Sequence, residues 1–350
     1  MAGAGDLRPG MLKTKEELDA AVDAAVHRRA SRRDQWLTLL AVLKANPLTL
    51  IGFFLVAAIC IGGFLIWLVP ILTGFLGHPT TLLPYSIIVP SGSAYLGPSL
   101  AHPFGTDEAG RDVLSRVLAA TPIDLSIGLS ITLFSLAVGG VLGLIAGFWD
   151  TPGTVGGFVS VVILRVTDIF LAFPSLVLAL AIAEVLGRGF TIVLFAIAAT
   201  WWPFYVRLVR GEVLAVKGAP FITAARAAGL SGGKILTRHI IRNIAEPLIV
   251  YYTLDVGSVL ITFSTITFLG IGFTPGTAEW GSMISSYQAD LAFDPYPVLF
   301  TGLAVFITVL AFSLLGDGLR DILDPRSRRA LAVTSASAGE IRGGSAAPSS

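Results

Sequence analysis

The chain has 350 residues, 54% of them hydrophobic and 13% charged, with a formal net charge of +1. A soluble domain carries about 25% charged residues, and half that density cannot cover a water-facing surface of this size. The composition excludes a soluble globular enzyme and a disordered chain, leaves an all-α polytopic membrane protein, and gives no basic excess for nucleic acid.

Residues 1–46 are polar, with eight Lys/Arg and six Asp/Glu, which is not the pattern of a signal peptide. Thr14-Lys15-Glu16-Glu17 has the spacing of a capping box. It opens a stretch, 14–44, that fits either a cytoplasmic amphipathic helix or a solvated basic leader. A spanning helix needs about 20 apolar residues to cross about 30 Å of hydrocarbon. The first such run is Leu48 to Leu72, within 47–72. It holds Cys60, the single cysteine, so neither an internal disulfide nor a cysteine zinc site is possible. His27, His78, His102 and His239 form no close ligand pair, and no metal is expected.

Residues 73–122 read as a long outer segment. Its first half is rich in Pro, Gly and Ser. Its second half runs from His102 through Asp112 into a short helix whose Val113, Leu114, Val117 and Leu118 share one face, as a helix lying on the outer membrane surface would. The second span is Leu125 to Trp149. The third, Gly153 to Glu184, is interrupted by Arg165 and Asp168. The fourth is Phe190 to Val206. The fifth starts near Pro247, carries Asp255 and ends about Phe273. The sixth is Val298 to Gly316. Six spans result, five of them in a core at 123–316, followed by a tail at 317–350 that is Ala-, Ser- and Gly-rich from Ala330 and reads as disordered.

Lys/Arg bias sets the orientation. One side would hold 1–46 with eight, 207–242 with seven and 317–350 with five; the other would hold 73–122 with two, 187–189 with one and 274–297 with none. Both termini are therefore expected in the cytoplasm. Ionisable residues in spans face protein or water, which makes Asp168, Glu184 and Asp255 candidates for the lining of a pathway. Arg165, three residues before Asp168, offers a local ion pair as the other role. Trp201-Trp202-Pro203 is expected to kink the fourth span and either line a pathway or pack. Gly139, Gly143 and Gly147 make a smooth stripe for close helix contact, inside this subunit or with a second one.

The cytoplasmic loop 207–242 carries seven Lys/Arg against Glu212 alone. Within it, Thr223-Ala224-Ala225-Arg226-Ala227-Ala228 forms a strong helix with little side-chain bulk, and Gly229 is a natural stop. Such a helix can lie in another protein's groove, or serve as a connector packed on its own chain.

Thr223-Ala224-Ala225, three residues, Gly229, and then His239-Ile240-Ile241-Arg242-Asn243 resembles the EAA loop, 215–245 here, of ATP-binding-cassette (ABC) importer permeases. Thr223 stands where that pattern has Glu, and Arg242 where its peptide branch has Pro. Further segments resemble the C-type permease subunit of dipeptide and oligopeptide importers: His102-Pro103-Phe104-Gly105-Thr106-Asp107, Gly110 to Arg116, Arg165 to Asp168 with Phe173-Pro174-Ser175, Phe268 to Gly272, Glu279-Trp280-Gly281, and Leu314 to Arg326. The resemblance implies a type I (MetI-like) importer fold and several partners. These are a second homologous permease, two cytoplasmic ATPase subunits that hold ATP and Mg²⁺, an extracytoplasmic solute-binding protein, and membrane lipid. It implies Thr223, Ala224, Ala225, Ala228 and Gly229 as the ATPase-coupling surface, with His239 and Asn243 fixing the loop.

This chain carries no nucleotide site of its own. A Walker A motif ending at Gly233-Lys234 would need Gly at 228 and Ser or Thr at 235, and Ala228 and Ile235 stand there. No catalytic residue is assigned. Gly229-Leu230-Ser231-Gly232-Gly233 fits G-x-S-x-G formally, but a basic loop is not where an intramembrane serine protease keeps its nucleophile. A gradient-driven transporter using Asp168, Glu184 and Asp255 is the other alternative.

Overall fold

The computed structural model describes residues 47–76, 80–187, 189–272 and 276–323. The expected amphipathic stretch 14–44, His27, His78, Arg188, the tail from 324 and the C-terminal end of the Leu314 to Arg326 segment lie outside them. The described residues form helices and connecting turns, with one isolated bridge between Thr106 and Asp112.

Helix α1 is Pro47–Phe75, α2 Val113–Phe148, α3 Val155–Leu171, α4 Ser175–Leu186, α5 Phe190–Lys217 and α6 Pro220–Ala227. Helix α7 is Gly232–Phe268, α8 Trp280–Tyr287 and α9 Tyr296–Leu323. Five helices (α1, α2, α5, α7, α9) are long and apolar enough to cross a membrane. The pair α3–α4 makes a sixth, bent by 84° at its break. Arg165 and Asp168 do not interrupt the helix, since both lie inside the continuous α3; the break comes after it, between Leu171 and Ser175, where Pro174 cannot continue the α3 ladder.

Two boundaries move. The helix expected to lie on the outer surface is the first turns of α2, which runs unbroken for 36 residues, about 54 Å at 1.5 Å per residue. Val113 and Val117 are buried against Trp280, Met283 and Tyr287, not in lipid. The uncharged run stopped at Asp124, but this carboxyl is fully buried in protein and accepts a hydrogen bond from the Trp280 amide (3.3 Å), so its charge marks no water boundary. At the other end, α7 begins fifteen residues before Pro247, and a π-helical turn at Leu236–Ile240 joins its first turn to the spanning part. Helix α5 passes through the buried Pro203 without a break.

With lipid as apolar as leucine, spans associate through close packing of small residues. The stripe of Gly139, Gly143 and Gly147 lies against α5. A Cβ on Gly143 would sit 2.8 Å from the Val206 carbonyl and 2.9 Å from Val209 Cβ; on Gly147 it would meet Val213 Cβ at 2.8 Å. The stripe therefore serves contact inside this subunit. Backbone cannot retreat as a flexible side-chain tip can. Gly143→Val is expected to cost about 1–3 kcal/mol, read as a lowered Tm of the purified protein. Helix α1 is peripheral: only Thr49, Gly52 and Gly63 are buried along it. It is fastened where Gly52 abuts Leu314 and Leu315 of α9.

Candidate functional site

On the basic side, α6 carries the expected coupling segment. Ala219 precedes it and Pro220 opens it, a position where a missing N–H costs nothing. The helix ends in a Schellman motif: the Leu230 amide donates to the Ala225 carbonyl (3.1 Å) and the Gly229 amide to that of Arg226 (2.9 Å). Gly229 has φ +78°, a left-handed conformation that a side chain would strain. The helix is seated through Ile222, which is fully buried with Val209, Val213, Ile235, Ile240 and Ile244. Ala225 is packed onto the same cluster, so it faces its own chain and is not part of the outward surface. Thr223, Ala224, Ala227, Ala228 and Gly229 are exposed. His239 lies on the π-helical turn; its carbonyl accepts from Asn243 Nδ2 at 2.6 Å, and its ring centroid is 6.4 Å from that of Phe221. Phe221, exposed on α6, was not singled out from the sequence. An aromatic residue beside a run of alanines was the signal.

A second polar group lies within the spans. Asp255 Oδ2 accepts from Trp201 Nε1 (2.7 Å) and from Tyr205 Oη (2.9 Å), tying α7 to α5. Asp168 accepts from Arg207 at 2.7 Å, with Arg165 farther away at 3.9 Å. The expected i, i+3 pair is therefore present but secondary to a bridge between α3 and α5. Trp202 meets Phe170 edge-on at 5.4 Å. The structure brings Trp201 together with Asp255, and Trp202 near the Asp168 end of α3. It leaves Glu184 apart, exposed on the last turn of α4.

On the opposite side lies a buried network that sequence reasoning met only as a resemblance. Asp112 caps α2, accepting from the Ser115 amide (2.8 Å) and hydroxyl (2.7 Å), and its other oxygen lies 2.9 Å from His102 Nδ1. Asp107 takes the Arg111 amide (2.9 Å) and Nε (2.8 Å). Arg116, 2% exposed, donates to Tyr287 Oη (3.0 Å) and to the carbonyls of Ile87 (3.0 Å) and Gly276 (3.2 Å), with Asp107 at 3.6 Å. Glu279 caps α8, accepting from the Gly281 (2.7 Å) and Ser282 (2.8 Å) amides and from Thr267 Oγ1 (3.0 Å). Burial pushes its carboxyl up from the usual carboxylate range, while those amide donors pull it back. The network fixes α8 on the first turns of α2. The available signal was a charged residue, Arg116, on a helical face otherwise made of Val and Leu.

Residues 139–329 match the family described as binding-protein-dependent transport system inner membrane component. The glutathione transport system permease protein GsiD of Pectobacterium atrosepticum is 40% identical over 230 residues, 66% of this chain and 74% of that protein. The protein of the same name from Escherichia coli O6:K15:H31 is 43% identical over 238 residues, again 66% and 74%. Among solved structures, the MetNI methionine ABC transporter in an inward-facing conformation aligns with a TM-score of 0.44 and 18% identity, over 58% of this chain and 95% of that one. The matched stretch runs from within α2 through α9 and includes the coupling segment. The chain belongs to the binding-protein-dependent transport system inner membrane component family, and it is a membrane-embedded permease subunit of an ABC importer.

Proposed function

We propose that this subunit imports a short peptide of the glutathione class, forming half of a translocation pathway with a second homologous permease. The name shared by relatives at 40% and 43% identity supports the substrate class. The observation that carries the coupling role is the geometry of α6: a smooth exposed face of Thr223, Ala224, Ala227 and Ala228, held rigidly from behind by Ile222 and ended by Gly229. A helix anchored on one face and bare on the other transmits a push from a partner to the spans it is packed on. Here those are α5 and α7, since the cluster beneath it contains Val209, Val213 and Ile244. The basic side is cytoplasmic in this reading. ATP and Mg²⁺ reside on two ATPase subunits docked there, and this subunit hydrolyses nothing itself. The solute-binding protein docks on the opposite side, the side of the network around Arg116, where Leu100 and Phe293 are exposed. Alternating access then follows from rotation of α5 and α7 as α6 is moved. Trp201, Tyr205 and Asp255 join those two helices so that they turn together.

A gradient-driven carrier would need free titrating acids in the spans. Asp168 is bridged to Arg207 and Asp255 is held by two donors, leaving Glu184, exposed on the last turn of α4, as the one of the three candidate acids without such a partner among the described residues, which favours the ATP-driven reading. Proteoliposomes holding the complete importer and its binding protein are expected to take up labelled glutathione only when ATP is supplied on the ATPase side. Uptake driven by a proton or sodium gradient without ATP would sink the proposal, and a ligand screen on the binding protein checks the substrate separately.

A further inference from the structure

The basic loop divides into two sets of cations. Arg207 is paired with Asp168 (2.7 Å), Arg210 with Asp150 (2.7 Å), and Lys217 donates to the Phe148 (2.8 Å) and Gly147 (3.3 Å) carbonyls. These three are consumed inside the chain, fastening α5 to its neighbours. Arg226, Lys234, Arg238 and Arg242 are all exposed and, among the described residues, enter no ion pair and no side-chain hydrogen bond. Two of them, Arg238 and Arg242, line a notch of about 490 Å³ together with Phe221 of α6 and His239, Asn243 and Glu246 of α7. Glu246 is the single acid there, and it also borders the adjoining cavity that holds Glu212 and Arg320. The notch therefore keeps a net positive charge with one aromatic wall, directly beside the coupling helix.

The two departures from the EAA pattern point the same way. Thr223 removes an anion from this surface and Arg242 adds a cation to it. A positive, half-enclosed notch next to a bare helix fits an anionic partner group. We propose that the notch receives an acidic side chain of the ATPase subunit, so that a carboxylate bound between Arg238 and Arg242 locks α6 and the start of α7 to the same partner. This rests on the coupling role given to α6. A phospholipid headgroup is the other anion within reach of basic residues at a membrane. Position argues against it for Arg238, which precedes Pro247 by nine residues, about 14 Å along the helix axis at 1.5 Å per residue. The headgroup layer is only about 5–8 Å deep on each side of the hydrocarbon. The notch therefore reaches from the headgroup level at Arg242, five residues before Pro247, to beyond that level at Arg238, where protein is the available source of carboxylate.

The test uses the permease pair held in zwitterionic phosphatidylcholine nanodiscs and titrated with its ATPase subunit at about 50 and 300 mM salt. Wild type is expected to lose affinity as salt rises. The double variant Arg238→Gln/Arg242→Gln is expected to bind about tenfold more weakly at low salt, with a flattened salt dependence. Equal affinity and equal salt dependence in variant and wild type would overturn the proposal. So would a difference that emerges only when phosphatidylglycerol is added to the discs, which would assign the notch to lipid. Ala224→Trp, measured alongside, separates the two ideas. Loss of the ATPase in Ala224→Trp with wild-type behaviour in the double variant leaves the coupling helix standing and removes the notch. Retained binding in Ala224→Trp removes the coupling role itself.

Discussion

Ala224→Trp is expected to abolish substrate-stimulated ATP hydrolysis by the assembled importer and to release the ATPase subunits during purification. Ala224 is exposed on α6, on the face away from Ile222. An indole there meets solvent in the isolated subunit, so folding and membrane insertion should be unchanged. A groove shaped for alanine has no room for it. Overpacking a fitted contact costs about 1–3 kcal/mol or more, and about 1.4 kcal/mol is already tenfold in affinity. Ala225→Trp is the informative contrast. Ala225 packs onto the cluster of Ile222, Ile235 and Ile240, so a tryptophan there is driven into the chain's own interior. That variant is expected to lower the Tm of the subunit alone, before any ATPase is added. Normal stimulation of hydrolysis in Ala224→Trp, with the subunit folded, would refute the placement of the coupling surface.

These two neighbouring alanines show how far the sequence reached. Alanine content and Gly229 announced a short smooth helix, because low bulk and a left-handed stop are readable one residue at a time. Which alanine faced out was not readable, because the seat of the helix is assembled from α5 and α7, distant in sequence: Val209 and Val213 on one, Ile235, Ile240 and Ile244 on the other. The spans follow the same division. Apolar runs located every crossing helix, but the charges at Arg165 and Asp168 did not mark the bend of α3–α4, which falls after Leu171. The start of the second span differs because the charge beside it is buried in protein, and the start of the fifth because an exposed, charged helix continues into it. Asp124 bounds the uncharged run of the second span, and a carboxyl in an apolar run normally marks the water edge. In the structure it is covered by Trp280, a residue 156 positions away. Asp168 likewise took Arg165 as its nearest cation by spacing, whereas Arg207 arrives from a separate helix at a shorter distance. Periodicity and charge runs report local chemistry. The partners that satisfy a buried charge are supplied by topology.

Arg116→Met is expected to produce the largest loss of stability, for the same reason. The guanidinium is 2% exposed and links four pieces of the outer side: Tyr287 of α8, the Ile87 carbonyl, the Gly276 carbonyl, and Asp107 at 3.6 Å. Methionine fills much of the volume but donates nothing. Both carbonyls and the phenol oxygen lose their donor, and Asp107 keeps Arg111 as its remaining cation. Breaking a buried charge contact from one side costs about 3–5 kcal/mol, on the order of 10 °C in Tm, and the damage should be local. Limited proteolysis is expected to open the segment between Ile87 and Arg111 first, since the arginine fastens it to α2. Docking of the binding protein should fall with it, while ATPase association through α6 on the other side persists. Arg116→Lys keeps the charge but offers a single ammonium in place of the planar fork, so it should recover part of the Tm and not all. A Tm for Arg116→Met within about 2 °C of wild type would mean that the outer platform is held by the apolar contacts of Val113, Val117 and Trp280 alone. The buried arginine would then fix only its geometry.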